Sequence, residues 1–279
     1  MKLSNGISIP EIGFGTWQTP DGKTAADCVK YALSVGYRHI DTAACYGNEK
    51  GVGEGIKAAI DEGIVKREDV FLTSKLWNTE RGYDKTLRAF EQTMSDLGTD
   101  YIDLYLIHWP ASSHRFADWE EINLATWKAM TELYKSGRIR AIGVSNFEPH
   151  HLNALMQTEV KPMVNQIEYH PGCLQKEIVE YCRENGILVE AWSPLGSGRV
   201  LGDERLKKIA AKYGKSVAQI CIRFALQNGI LPLPKSVTES RIDENFNVWD
   251  FNISEEDINE INSMGEFGGS GLNPDEIDF

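Results

Sequence analysis

The sequence predicts a (β/α)8 TIM barrel of the α/β class, and three observations predict it. Short apolar runs alternate eight times with helical patterns. Residues that close successive runs (Asp41, Lys75, His108, Ser145, Gln166, Trp192, Lys235) lie 21 to 43 positions apart, and one strand–helix unit needs roughly 30 residues. No Pro/Ser-rich linker or low-complexity segment divides the chain. One barrel domain over 1–279 is the expectation, with 265–279 as a C-terminal tail or a loop over the barrel mouth.

The elements follow in order. LSNGISIP carries an Asn5-Gly6 turn between two short extended runs, a β-hairpin ahead of the barrel. GFGTW reads as the first strand and TAADCVKYALSV as the first helix. YRHID precedes the helix EKGVGEGIKAAID, and VFLTSK precedes GYDKTLRAFEQTMSDL. DLYLIHW leads through a loop into INLATWKAMTELYKS, and IRAIGVSN leads into a helix opened by Pro149. MVNQIEY precedes LQKEIVEYCREN, and ILVEAWS precedes two helices, DERLKKIAAKYG and SVAQICIRFALQNG. ILPLPKS is the eighth strand, followed by TESRIDENFNV and a last helix, SEEDINEINSM. The Gly-rich GEFGGSGLNPDEIDF is too irregular for a helix.

A doubly wound sheet is the rival. GFGTWQ lacks the third glycine of a dinucleotide fingerprint, GVGEG follows no clear strand, and no P-loop is present. Tyr46 and Lys50 spell a YxxxK pair, but so early in the chain, without a Gly-rich first turn before it, the match reads as coincidence.

Composition narrows the function. A net charge of −12 argues against nucleic acid or an anionic membrane as partner. MKLSNGISIP lacks the basic start and apolar core of a signal peptide, and no apolar run is long enough to span a bilayer. A cytoplasmic protein, monomeric and acting on a small molecule, is expected. The five cysteines form no CxxC pair and read as free thiols. Cys45, between Asp41 and Tyr46, reads as a spacer or an incidental thiol. His150 and His151 open a helix and read as solvated, and no metal site is expected.

In a parallel barrel all strand C-termini converge on one face, so Asp41, Tyr46, Lys75 and His108 can meet around one substrate. A phenol beside an ammonium, a carboxylate and an imidazole suits the reduction of a carbonyl. Tyrosine titrates near 10, so a neighbouring ammonium would make the phenol a better acid. The Asp would keep the Lys charged and aimed, and a hydrogen bond from His would polarise the carbonyl.

GYRHIDTAACYGNEKGVGEG, KLWN, DLYLIHWP, GVSNF, NQIEYHP, AWSPLG and LPKSVTESRIDEN, in this order between Leu3 and about Met264, resemble the aldo-keto reductases. Within that family the chain is similar to bacterial and protozoan diketogluconate, glyoxal or methylglyoxal, and prostaglandin F reductases. The resemblance implies NADPH-dependent reduction of aldehydes and small ketones, 2-oxoaldehydes or keto sugars among them. It implies Tyr46 as general acid, Lys75 as the cation lowering its pKa, Asp41 as the carboxylate paired to Lys75, and His108 as the group orienting the carbonyl. For the cofactor it implies Ser145, Asn146 and Gln166 at the nicotinamide amide, with Trp192 stacked on the ring and Thr16, Trp17 and Asp41 nearby. It implies Ser193, Leu195 and Ser197 around the pyrophosphate. Lys235, Ser236 and Arg241 fall at the 2′-phosphate, Glu244 and Asn245 at adenine, and Val237 and Thr238 are implied as further cofactor-binding residues of the same stretch.

Trp17, Trp77 and Trp109 each follow a strand end closely and are expected, with His108, to wall the substrate site. Arg115 and Arg199 are candidate anchors for an acidic substrate. The alternative class is a barrel that binds nucleotide without turnover, like the channel-associated β subunits that resemble this family.

Overall fold

The computed structural model describes residues 1–279. Eight parallel strands lie in chain order: β1 (Phe14–Gly15), β2 (His39–Asp41), β3 (Phe71–Leu76), β4 (Ile102–Ile107), β5 (Ile139–Ser145), β6 (Val164–Glu168), β7 (Leu188–Trp192) and β8 (Leu231–Pro232). Backbone hydrogen bonds from Gly13 N to Pro232 O and from Gly15 N to Pro234 O, both 3.0 Å, join the last strand to the first and close the barrel. The two prolines have no N–H to give, so this seam uses only their carbonyls. That is why the eighth run is a strand over two residues rather than seven.

Helices α1 (Lys23–Val35), α2 (Glu49–Asp61), α3 (Tyr83–Leu97), α4 (Trp119–Lys135), α5 (Pro149–Leu155) and α6 (Lys176–Glu184) follow the first six strands. α7 (Glu204–Tyr213) and α8 (Val217–Gln227) both follow β7, and α9 (Glu239–Phe246) and α10 (Glu255–Asn262) follow β8. Local chemistry sets their starts. Asp203 accepts from Arg205 N and Leu206 N, Ser216 and Gln219 form a reciprocal cap, and Ser254 accepts from Asp257 N. No helix is long and apolar enough to cross a membrane.

Strands β3 and β4 are buried along their whole length, as expected for parallel strands with a filled barrel inside and helices outside. The N-terminal hairpin survives as one antiparallel bridge, Lys2 to Ser8, with Asn5 Oδ1 accepting from Ile7 N at 3.1 Å. The glycine-rich 51–55 stretch belongs to α2, where it lets neighbouring helices approach closely. A Cβ on Gly53 would stand 2.3 Å from the Leu97 carbonyl oxygen at the end of α3. Gly53→Ala therefore forces α2 and α3 apart and should destabilise the fold by about 1–3 kcal/mol, read as a lower denaturation midpoint with an unchanged denaturant slope.

Candidate active site

Three strand ends, those of β2, β3 and β4, deliver the four side chains of the central cluster. Lys75, on β3 and fully buried, donates to Asp41 Oδ1 on β2 at 2.7 Å, to the Thr42 carbonyl at 2.9 Å and to the Tyr46 hydroxyl at 3.2 Å. Tyr46 sits in a short 3-10 turn, Ala44–Tyr46, just beyond β2. Its ring lies edge-on to His108, centroids 5.7 Å apart, and His108 directly follows β4. Lys50 points elsewhere, 3.7 Å from Asp96 on the surface, so the phenol meets Lys75 and not the lysine of the YxxxK string.

Electrostatics assign protonation states. Burial disfavours the Lys75 ammonium, but Asp41 and Tyr46 outweigh it and hold its pKa above the ordinary value. Burial pushes Tyr46 up to about 12, more than Lys75 pulls it down. Lys75 does pull the phenol down, as the sequence reading expects, but it offsets only part of a larger desolvation effect, and Tyr46 is a neutral, proton-bearing phenol at physiological pH. Burial, Lys75 and Arg81 hold His108 well below the usual histidine range, so its ring is neutral. Cys45 Sγ lies 3.4 Å from His108 Nδ1. Desolvation pushes this thiol up to about 12, so its S–H is available to donate to Nδ1, leaving the ring proton on Nε2.

Behind the cluster lies a second buried layer. The Gln166 side-chain nitrogen, on β6, donates to Asp41 Oδ2 at 2.9 Å and to Glu190 Oε2, on β7, at 2.8 Å. Ser145 Oγ donates to the Gln166 carbonyl at 2.8 Å. Asn146 Nδ2 donates to the His108 carbonyl at 3.0 Å, and Trp192 Nε1 donates to Asn146 Oδ1 at 2.8 Å. Thr16 Oγ1 donates to the Asp41 carbonyl at 3.0 Å. Ser145, Asn146, Gln166, Trp192 and Thr16 therefore adjoin the Asp41–Lys75 pair in one connected hydrogen-bond network. The sequence reading missed Glu190, hidden inside the apolar run ILVEAWS, and buried Asn48, whose side chain donates to the Thr16 and Thr19 carbonyls at 2.9 Å.

The remaining candidates spread along the rim. Ser193 and Ser197 touch through their hydroxyls at 2.9 Å, with half-buried Leu195 between them. Past β8, Lys235 Nζ donates to the Gln18 carbonyl at 3.3 Å, and Ser236 Oγ accepts from Thr238 N at 3.1 Å. Val237, Thr238 and Arg241 are exposed, Glu244 is half-buried and Asn245 is buried. Neither Lys235 nor Arg241 stands within salt-bridge distance of a carboxylate, although the protein carries a net charge of −12. Lys235 and Arg241 are thus cations without a carboxylate partner, of a kind that can pair with a phosphate.

The tail lies over the mouth. Phe279 stacks on Trp77, centroids 5.8 Å apart and planes 6° apart, and meets Trp109 edge-on at 5.6 Å. Trp77 in turn contacts His108 edge-on at 5.3 Å. Trp17 is exposed and Trp109 buried, so the three indoles differ in reach. Glu168 binds the tail through Ser270 N and Oγ and also accepts from Arg199 Nη2 at 3.1 Å. Arg199 is thereby spent on structure rather than free as a substrate anchor. Arg115 reaches the Phe279 carbonyl at 3.5 Å.

His151 corrects the expectation of a solvated pair. Its Nδ1 accepts from Glu148 N at 3.2 Å in a reciprocal cap of α5, which buries the ring, while His150 stays exposed. Nε2 of each ring lies 3.0–3.1 Å from Asp275 Oδ1. The hydrogen bond is made by His150 Nε2, which fastens the tail to α5, while His151 Nε2 stands near the same oxygen without hydrogen-bond geometry.

The chain belongs to the aldo/keto reductase family, whose description matches residues 11–266. It is 49% identical over 280 residues to the glyoxal reductase of Bacillus subtilis (strain 168), covering all of this chain and 97% of that protein. It is 48% identical over 281 residues to the 9,11-endoperoxide prostaglandin H2 reductase of Trypanosoma cruzi (strain CL Brener), covering 99% of this chain and 95% of that protein. Among solved structures, a Gox0644 mutant in complex with NADPH is 43% identical, with a TM-score of 0.91 over all of this chain and 98% of that one.

Removing Asp41 leaves a fully buried ammonium without its counter-charge. Asp41→Ala should cost about 3–5 kcal/mol of stability at neutral pH. Burial would then depress the Lys75 pKa in the folded state only, so the unfolded chain binds the extra proton and the variant regains stability as pH rises toward about 10. Urea unfolding across that range reads both effects.

Proposed function

We propose that this protein reduces aldehydes and small ketones, 2-oxoaldehydes among them, to alcohols with NADPH. The observation that carries the reading is the contact of Lys75 Nζ with both Asp41 and Tyr46 beside a neutral His108. When bound, NADPH supplies the hydride that reduces the carbonyl carbon. Tyr46 gives its phenolic proton to the carbonyl oxygen, and Lys75 stabilises the phenolate left behind. His108 Nε2–H donates a hydrogen bond to the same oxygen and needs no charge to do so. Asp41 keeps Lys75 charged and aimed. Ser145, Asn146 and Gln166 would hold the nicotinamide amide, Trp192 would lie against its ring, and Ser193, Leu195 and Ser197 would line the pyrophosphate.

The aromatic mouth of Trp17, Trp77, Trp109 and Phe279 offers apolar surface and few fixed polar groups, which supports broad recognition of activated carbonyls. Methylglyoxal, phenylglyoxal and nitrobenzaldehyde should all be reduced, read as loss of NADPH absorbance. Tyr46→Phe removes the proton donor and keeps the cofactor groups. Turnover should fall by at least ~100-fold while NADPH binding changes little, and near wild-type turnover in this variant would refute the mechanism. Nucleotide binding with no turnover on any carbonyl would instead favour the binding-protein alternative.

Lys235, Ser236 and Arg241 are the groups proposed to select NADPH over NADH through the 2′-phosphate. A hydrogen bond to a charged group contributes about 1.5–3 kcal/mol. Arg241→Ala should therefore weaken NADPH by at least ~10-fold and NADH much less, with the difference shrinking at high salt. Tryptophan quenching by each nucleotide measures this, and equal losses for both would make Arg241 structural.

A further inference from the structure

The barrel interior holds a second carboxyl group that the mechanism does not use. Glu190 is fully buried on β7, opposite Gln166 on β6 and Leu231 on β8. Its Oε2 accepts from the Gln166 nitrogen that also donates to Asp41 Oδ2. Its Oε1 has no hydrogen-bond partner. One amide –NH2 thus bridges two carboxyl groups, and both of its N–H bonds are spent on them. The Gln166 side-chain oxygen is then the only part of that amide left to meet a ligand.

Charge counting leads further. Facing Glu190 are Asp41 and His39 from β2, Lys75 from β3 and the uncharged Gln166 from β6, while its β8 partner Leu231 is apolar. His39 Nε2 lies 4.0 Å from Glu190 Oε1 but is engaged with Thr73 Oγ1 at 2.9 Å. Burial and Lys75 drive the His39 pKa down to about 3, so this ring contributes no charge. Lys75 is the one cation, and Asp41 already binds it directly. A second anion in this dry space would have no counter-ion, so Glu190 carries a proton in the free protein. Burial and Asp41 together push its carboxyl up to about 8.

We propose that Glu190 is a positioning residue with an exchangeable proton: it shares the Gln166 amide with Asp41, and it gives up that proton when a cationic, oxidised nicotinamide occupies the site. Its O–H bond breaks and the proton passes to bulk water, so binding NADP+ releases up to one proton while binding NADPH, whose ring is neutral, releases none. This rests on the cofactor reading given under Proposed function. The consequence is a pH-dependent preference between the two redox states. Below the free-state pKa of Glu190, NADP+ must displace a proton to gain the anion, and above it the anion is already present.

The test is nucleotide binding without turnover. Dissociation constants for NADP+ and NADPH are measured by tryptophan quenching at pH 6.5, 7.5 and 8.5. The ratio of the two removes effects common to both ligands, including titration of the 2′-phosphate near pH 6 and of Lys235. NADP+ should tighten relative to NADPH by at least about threefold from pH 6.5 to 8.5, as linkage to one proton requires. Glu190→Gln keeps an acceptor for Gln166 but holds no titrating proton, and should flatten the ratio. Parallel pH dependences in the wild type overturn the inference, whether or not the variant folds. A pH-dependent ratio that persists in folded Glu190→Gln also overturns it, by assigning the proton elsewhere. Absence of saturable quenching by either nucleotide would bring down the cofactor reading and this inference with it, and is distinguishable from saturable but parallel curves.

Discussion

The ion pair between Lys75 and Asp41 is the constraint on which the rest of the site depends. A fully buried ammonium is tolerated only with a counter-charge and filled hydrogen-bond sites. Asp41, the Thr42 carbonyl and the Tyr46 hydroxyl fill those sites. The pair also fixes the spacing of strands, because β2 and β3 must run side by side, Asp41 opposite Thr73, for the two charges to meet. The phenol is held as the third partner of a cation that has no alternative neighbour. Around this pair, Gln166 extends the network to β6 and β7, so five of the eight strands take part, counting Ser145 on β5.

The second organising feature is the way loops and tail are fastened over the mouth. Glu168 holds Ser270 of the tail and Arg199 of the loop after β7 at once. Asp275 rests against the two histidines of α5, and Phe279 completes the aromatic wall begun by Trp77 and Trp109. The bottom of the site is thus rigid barrel and its top is a set of polar fastenings between irregular segments. Such an arrangement lets one buried cluster sit under differently shaped mouths.

The barrel was legible because parallel strands buried on both faces leave continuous apolar runs, and each run ended on a polar residue that the fold turns to account. Asp41, Lys75 and Gln166 announced themselves by interrupting or closing such runs. Glu190 interrupts a run equally, but its partner is a side chain 24 positions earlier, and no local pattern reveals that pairing. The first and eighth strands were read too long, because Pro232 and Pro234 supply carbonyls without N–H groups and the ladder between them is sparse. The burial of His151 escaped because one ring nitrogen serves as a helix cap, which spacing alone does not show. Lys75 and Tyr46 were read correctly as neighbours, but the balance between charge and burial on the phenol depends on depth, and depth is a property of the folded barrel.

The assignment of the proton donor is open to one direct measurement: the pH dependence of hydride transfer in a single turnover, with the enzyme–NADPH complex mixed with excess methylglyoxal. On the proposed mechanism Tyr46 must be protonated to act, and burial pushes its pKa up to about 12, while burial holds His108 neutral across the same range. The rate should therefore be level from about pH 6 to 9 and decline only as the phenol ionises at higher pH. A rate that falls with a midpoint near 6.5, the ordinary histidine value, would show that an imidazolium supplies the proton and would contradict the role given to Tyr46.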